Sequence, residues 1–445
     1  MNKTRVPALF FLLALTALFI GLFFGLVIGH EYASPGLLKE LLPFNRMREL
    51  HVASVVSWIV LAATGGVYYY IQEDGWQALH NPRLSKVHFW LFLFTGIAIL
   101  VSIAVGPMGG REYLTFYPAL MIPIIFGWIL FAYNYFKTAK TGQKWPVYKW
   151  MWATGSIFMI YHLTESNLWV IPYFRERFIL DLTVQWKSYG SFVGSWNMLI
   201  YGTAIYLMSQ IKKDSNIARS KTAFFFYFLG FTNLILGWAH HLYPVPGAPW
   251  IRGVGYAISM TEWLVLAQMI YAWAKAVKED EKRTHAFSYK MLIVTDFWII
   301  GNVFIALLIS IPAINQFTHG THITVAHSMG TTIGINSSIL IASIYYAIGR
   351  WTTIDWGKYN TILMFGKGLF HLALLGFLSC LLISGYHRGQ WMMSGSTIPF
   401  SDHFDSLALV YDLFYVAGSL LVVAIVMLVW PAYRMLWKFV RNSEA

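Results

Sequence analysis

An all-α, polytopic membrane protein with about twelve transmembrane helices is the fold class this sequence predicts, and three observations carry the prediction. The 445 residues are 57% hydrophobic and only 12% charged, where a soluble domain carries about a quarter charged. Apolar runs of roughly 20 residues, the length a helix needs to cross a bilayer, recur along the whole chain. Lysines and arginines gather between those runs and favour alternate loops.

The runs are 7–29, 51–71, 87–105, 117–136, 148–171, 189–211, 222–241, 250–273, 289–311, 325–348, 362–384 and 407–431. No Gly/Ser linker divides them and no internal repeat is visible, so residues 1–445 read as a single domain. The first run follows the short basic head Met1 to Val6 and lacks a small-residue cleavage site, so it is expected to stay as a helix. With both termini placed in the cytoplasm, 23 of the 32 lysines and arginines fall on inner segments and 9 on outer ones. That asymmetry predicts the orientation, in the inner membrane of a bacterium. The net charge of +12 would suggest nucleic acid in a soluble protein, but here the basic residues flank spans and the partner is the lipid bilayer. Abundant apolar residues exclude disorder. The single Cys380 lies in an apolar run, so neither a disulfide framework nor a cysteine metal cluster is available.

The histidines gather at one depth. His51 opens span 2, His240 and His241 close span 7, and His327 opens span 10 with Met329 just after. All fall in the outer third of the membrane, where polar groups are costly and mark function. A lone buried histidine is usually a hydrogen-bonded packing residue; four at one level, with almost no buried acid beside them, point to ligation. Residues two apart on an α-helix point about 200° away from each other, so His327 and Met329 can serve two cofactors flanking span 10. Adjacent His240 and His241 diverge by about 100°, and both can reach one metal between them. With no cysteine among these residues, imidazoles suit haem iron, non-haem iron or copper. No His-Glu-x-x-His signature favours a zinc hydrolase.

The stretches Phe44-Asn45-Arg46-Met47-Arg48-Glu49-Leu50-His51, Gly110-Arg111-Glu112-Tyr113-Leu114, Gly237-Trp238-Ala239-His240-His241 and Thr318-His319-Gly320-Thr321-His322-Ile323-Thr324-Val325-Ala326-His327 together resemble the catalytic subunit of cytochrome c-dependent nitric oxide reductases, in the haem–copper oxidase superfamily. The resemblance runs over nearly the whole chain and agrees with twelve helices of the subunit I type. It implies that His51 is an axial ligand of a low-spin haem b and that His327 is the proximal ligand of a high-spin haem b. His240 and His241 become ligands of a non-haem metal, iron or copper. Glu262, in Ser259-Met260-Thr261-Glu262-Trp263, matches a buried glutamate beside the site. Glu112 matches a residue tied to a calcium ion that bridges haem propionates, and Arg111 a propionate partner.

The chain departs from that pattern in three places. His327-Ser328-Met329 stands where the family has His-Gly-His, which makes Met329 the second axial ligand of the low-spin haem. Registering span 6 on Gly194-Ser195-Trp196 puts Tyr189 in place of a metal-binding histidine and Val193 in place of a glutamate ligand. Tyr189 can serve the site, or anchor at the interface as tyrosines do. His162 and Glu165, three apart on span 5, can replace the missing ligands or form a helix-end ion pair with Arg175 or Arg177. His371 reads as packing. The other histidines, His88 among them, lie at span ends or in loops and are mostly expected in solvent.

The implied activity is reduction of nitric oxide, or another diatomic gas, with electrons from a cytochrome c subunit. No Cys-x-x-Cys-His occurs in the chain, so the donor is expected in trans. The alternatives are a dioxygen reductase, a nitric oxide dismutase and a haem electron-transfer subunit without turnover. Inner halves that offer little beyond Lys367, His371 and scattered Ser and Thr suggest protons from the outer side.

Overall fold

The computed structural model describes residues 5–36, 40–75, 78–139, 144–259 and 261–442. Helices account for nearly all of it, because a lipid-embedded backbone must satisfy its own hydrogen bonds. We number the principal ones α1 (Arg5–Ala33), α2 (Phe44–Gly75), α3 (Pro82–Ala104), α4 (Met121–Thr138), α5 (Val147–Glu165), α6 (Phe178–Lys212), α7 (Lys221–Leu236), α8 (Thr261–Ala276), α9 (Ala286–Ser310), α10 (His322–Trp351), α11 (Trp356–Met393) and α12 (Ala408–Asn442). Each of the twelve expected spans falls on one of them. Nine helices among the described residues are long and apolar enough to cross a membrane; α5, α6 and α8 fall outside that set. The protein is a polytopic all-α membrane protein.

Three spans are less regular than their apolar runs suggest. Span 5 ends as α-helix at Glu165 and continues only as a short 3-10 turn, Leu168–Val170. Span 7 ends at Leu236 and tightens into a 3-10 helix, Gly237–Leu242. Span 8 is two pieces, Trp250–Ile258 and α8, because Ser259 takes an extended conformation just before Glu262; Met260 lies outside the described residues. The loop between α3 and α4 holds a two-stranded antiparallel sheet, Met108–Arg111 with Leu114–Phe116.

The first and last helices pack together, α1 lying against both α2 and α12. Helices α2 and α10 run side by side in the same direction: Trp58 Nε1 donates to Ser337 Oγ at 3.0 Å, and Tyr70 Oη donates to the Ser343 carbonyl at 2.9 Å. The end opposite the histidine layer carries ion pairs between helices that the apolar runs did not include. Arg350 pairs with Glu73 and Lys149 with Asp74, while Tyr206 and Tyr148 donate to the same two carboxylates. His88 corrects a second expectation. It is fully buried in α3, hydrogen-bonded to Tyr68 at 3.0 Å and packed among Phe10, Phe92 and Phe131.

Candidate cofactor and metal site

A polar atom buried without a partner costs free energy unless a ligand completes it, and several such atoms gather where α2 and α10 begin. The His51 ring lies so close to α1 that a methyl on Gly25 would sit 3.0 Å from its Cε1. Its Nδ1 is 2.8 Å from the Gly21 carbonyl. A carbonyl only accepts, so Nδ1 carries the hydrogen and Nε2 keeps its lone pair. Backbone carbonyls orient metal-bound imidazoles in this way.

Thr321 caps α10 by accepting from the Ile323 amide, and the helix is regular over His322–Met329. It then widens into a π-helix, Gly330–Ser337, a distortion common at functional sites. Asn302 of α9 steadies this joint: its Nδ2 donates to the His327 carbonyl at 3.0 Å and to Thr331 Oγ1 at 2.8 Å. His327 Nδ1 is buried without a partner, and the ring leans on Trp263 at 5.8 Å. The Trp58–Ser337 bond also sets a level. Seven residues back along α2 is His51, and eight back along α10 is Met329. At helical rises of about 1.5 Å per residue, and less in a π-helix, the two side chains share a depth.

His240 and His241 sit on the 3-10 segment, so the α-helical divergence expected for them does not apply. Their rings lie side by side, centroids 4.3 Å apart and planes at 35°. His241 presses on α6 at Gly190, where a methyl would come 2.7 Å from its Cδ2. That contact puts the α6 backbone at Gly190 against His241, while the Tyr189 side chain lies toward Tyr113 and the charges of Arg111, Glu112 and Glu49. Tyr189 is 6% exposed, its Oη has no partner, and its ring meets the edge of Tyr113 at 5.8 Å. His240 Nδ1 is likewise unpartnered, and His240 lies within electrostatic reach of both His241 and His327. Val193 packs against the core and offers no donor.

Glu262, 2% exposed, starts α8 just after the break in span 8. One carboxyl oxygen accepts from Asn233 Nδ2 of α7 at 2.7 Å, and the other, Oε2, has no partner. Its neighbour Trp263 donates to Tyr201 Oη at 3.0 Å. The clamp by Asn233 was not anticipated, although an asparagine inside the apolar run 222–241 is the kind of costly polar residue that signals a role.

Arg111 and Glu112 sit at the turn of the two-stranded sheet. Arg111 pairs with Asp181 at 2.6 Å and lies 4.9 Å over Trp169, with Nε buried and unpartnered. Arg48 bridges Glu112 and the buried Glu49, 2.7 Å from each. Tyr113 between them has φ 67°, and burial followed by the Glu112 charge pushes its phenol above the usual range. His162 and Glu165 do associate, at 3.2 Å, but the cation on Glu165 is Lys187; the expected pairing with Arg175 or Arg177 is absent among the described residues. Glu165 is thereby committed, while His162 Nε2 is buried without a partner. His371 stacks on Trp298, as packing requires.

The residues present fit haem ligation at His51 and His327: Nδ1 of His51 is held by the Gly21 carbonyl, which leaves Nε2 for a ligand, and Nδ1 of His327 is buried without a protein partner. For a further metal the donors are narrower. No group of three His, Cys, Asp or Glu converges among the described residues, and the two imidazoles stand as a pair.

Comparison with known proteins bears on the family and the fold. A family profile described as Cytochrome C and Quinol oxidase polypeptide I matches residues 5–438. The chain is 24% identical to a nitric oxide reductase polypeptide of Stutzerimonas stutzeri, over 92% of this chain and 90% of that protein. It is 21% identical to cytochrome c oxidase subunit 1 of Rhodobacter capsulatus, over 84% and 71%. A haem–copper terminal oxidase dimer solved by cryo-EM shares the fold with a TM-score of 0.73 at 13% identity, covering 99% of this chain and 84% of that one.

Proposed function

The chain belongs to the cytochrome c and quinol oxidase polypeptide I family, oxidoreductases of the haem–copper superfamily that bind haem and a metal at the catalytic site, and from that premise we propose that it reduces nitric oxide to nitrous oxide. The balanced reaction takes two nitric oxide molecules, two electrons and two protons to one nitrous oxide and one water. The observation that supports the reading is the closeness of His240 to His241 and His327, with Nδ1 of His240 and of His327 buried and unpartnered.

In this reading His51 and Met329 hold a low-spin haem b, His327 holds a high-spin haem b, and His240 with His241 hold iron or copper. These groups, when bound, supply the electrons and the site at which the gas is reduced. Glu262, steadied by Asn233 on one oxygen, accepts and passes a proton at the other. Arg111 and Glu112 face the haem propionates, Glu112 with the option of calcium. Electrons come from a cytochrome c docked on the outer face of the inner membrane. A second reading, dioxygen reduction, is favoured by the buried, unpartnered Tyr189 phenol one residue before the Gly190–His241 contact, a group able to give both a proton and an electron.

Purified protein assayed by pyridine haemochrome, metal content and gas electrodes tests this. Two haems b per chain, with nitrous oxide formed at half the rate of nitric oxide loss, is the expected result. Dioxygen uptake without nitric oxide loss selects the second reading, and fewer than two haems defeats both.

A further inference from the structure

Trp263, whose ring leans on His327 at 5.8 Å, begins a file of aromatic rings that runs through the bundle to its other end. Its Nε1 donates to Tyr201 Oη at 3.0 Å. The next residue of α6 is Gly202, where a methyl would stand 3.0 Å from Trp152 Cδ1. Between ring centroids, Trp152 lies 5.7 Å from Tyr206, Tyr206 4.6 Å from Tyr70, Tyr70 5.4 Å from Tyr69 and Tyr69 4.9 Å from Trp351. Trp351 closes α10 at the end opposite the histidine layer, and the rings before it are buried. Phe226 and Phe11 pack beside the file, but each of its members is an indole or a phenol, the rings that give up an electron.

Packing accounts for rings at these distances, but not for what two of the hydroxyls meet. Tyr70 and Tyr135 donate to backbone carbonyls, at 2.9 and 2.7 Å. Tyr206 donates to Glu73 Oε2 at 2.7 Å, and Tyr148, its ring 5.2 Å from that of Tyr206, donates to Asp74. A carbonyl satisfies a buried hydroxyl equally well, whereas a buried carboxylate is costly until a cation pairs with it. Arg350 and Lys149 supply that pairing, Arg350 through the other Glu73 oxygen. What the carboxylate alone adds is a place for a proton. A phenol that loses an electron becomes a strong acid, and Glu73 Oε2 already holds its hydrogen bond.

We propose that this file carries single electrons from the end of α10 to an over-oxidised cofactor site, with Tyr206 and Glu73 as its proton-coupled relay. The oxidant is hydrogen peroxide acting on the haem of His327, so the proposal rests on the functional reading above. One electron leaves Tyr206 by way of Trp152, Tyr201 and Trp263; its O–H bond breaks and the proton stays on Glu73. A soluble thiol at Trp351 returns an electron through Tyr69 and Tyr70, and Glu73 gives the proton back to Tyr206. Two such cycles join two thiols as a disulfide, and their two electrons and two protons turn one peroxide into two waters. The line protects the site when its ordinary donor is exhausted.

The test reads a radical in place of turnover. Full-length oxidised protein in detergent is mixed with hydrogen peroxide, frozen and examined by electron paramagnetic resonance. Wild type should show a tyrosyl signal that narrows when the protein is made with ring-deuterated tyrosine. Y206F and W263F should lose that signal with the haem spectrum unchanged. E73Q, which keeps a hydrogen-bond acceptor but no base, should lose it as well, which a purely structural role for Glu73 does not predict. Wild type without a tyrosyl radical, or equal yields in Y206F, E73Q and wild type, overturns the proposal. Should Y206F fail to accumulate, W351F decides: it should lengthen the life of the radical in the presence of glutathione, and an unchanged lifetime overturns the line. A preparation without haem defeats the functional reading separately. A ruthenium photo-oxidant tethered at T353C in a C380S background then removes the electron from the Trp351 end, and a flash that yields no tyrosyl radical, or the same yield in E73Q, overturns this one.

Discussion

His51 has one ring nitrogen committed to Gly21 and the other free, while Met329 stands at the same depth on the parallel helix α10. If these two hold one iron, the thioether favours the ferrous state more than a second imidazole would, and the midpoint is raised. Met329→His should therefore lower the low-spin midpoint by several steps of about 30 mV, each about 0.7 kcal/mol for one electron. Potentiometric titration checks it, and an unchanged spectrum and midpoint would reduce Met329 to a packing residue. Histidines were legible from the sequence because counting along spans gives their depth. The clamp of Asn233 on Glu262 was not, since it depends on α7 meeting α8, and nothing in either run states that neighbour.

At the scale of elements, the site is built where regular helix fails: the 3-10 turn carrying His240 and His241, the break before Glu262, and the π-helix after Met329. Hydropathy reads all of these as continuous α-helix, because apolar composition reports the solvent and is blind to hydrogen-bond register. The approach of α6 to the 3-10 turn is a close one. Gly190→Ala puts a methyl 2.7 Å from the His241 ring, and such overpacking costs about 1–3 kcal/mol. We expect a lower thermal midpoint together with loss of the non-haem metal, while the haem content stays at wild-type level. Retention of that metal in a variant of unchanged spectrum would show that His241 is not among its ligands.

For the whole molecule, charge asymmetry between alternate loops predicts both termini in the cytoplasm. Green fluorescent protein fused after Ala445 should fluoresce, and alkaline phosphatase inserted between Ser394 and Phe400 should be active. The opposite pair of signals would invert the topology and put the histidine layer on the inner side. The expectation of a bland inner half failed for a reason visible in Glu73 and Asp74. Sequence reading assigned them to a loop, but α2 continues to Gly75 and carries them into ion pairs with Arg350 and Lys149.

The bond between Trp58 and Ser337 joins residues 279 apart in the chain, and that separation sets a timetable for biogenesis. An iron shared by His51 and Met329 cannot be captured while the ribosome is still making the middle of the protein. The first nine helices must enter the bilayer with His51 lacking its counterpart. If His51 and Met329 share that iron, cofactor loading is a maturation step that follows insertion of α10, and a chain stalled or truncated before residue 329 would reach the membrane without being able to acquire its pigment.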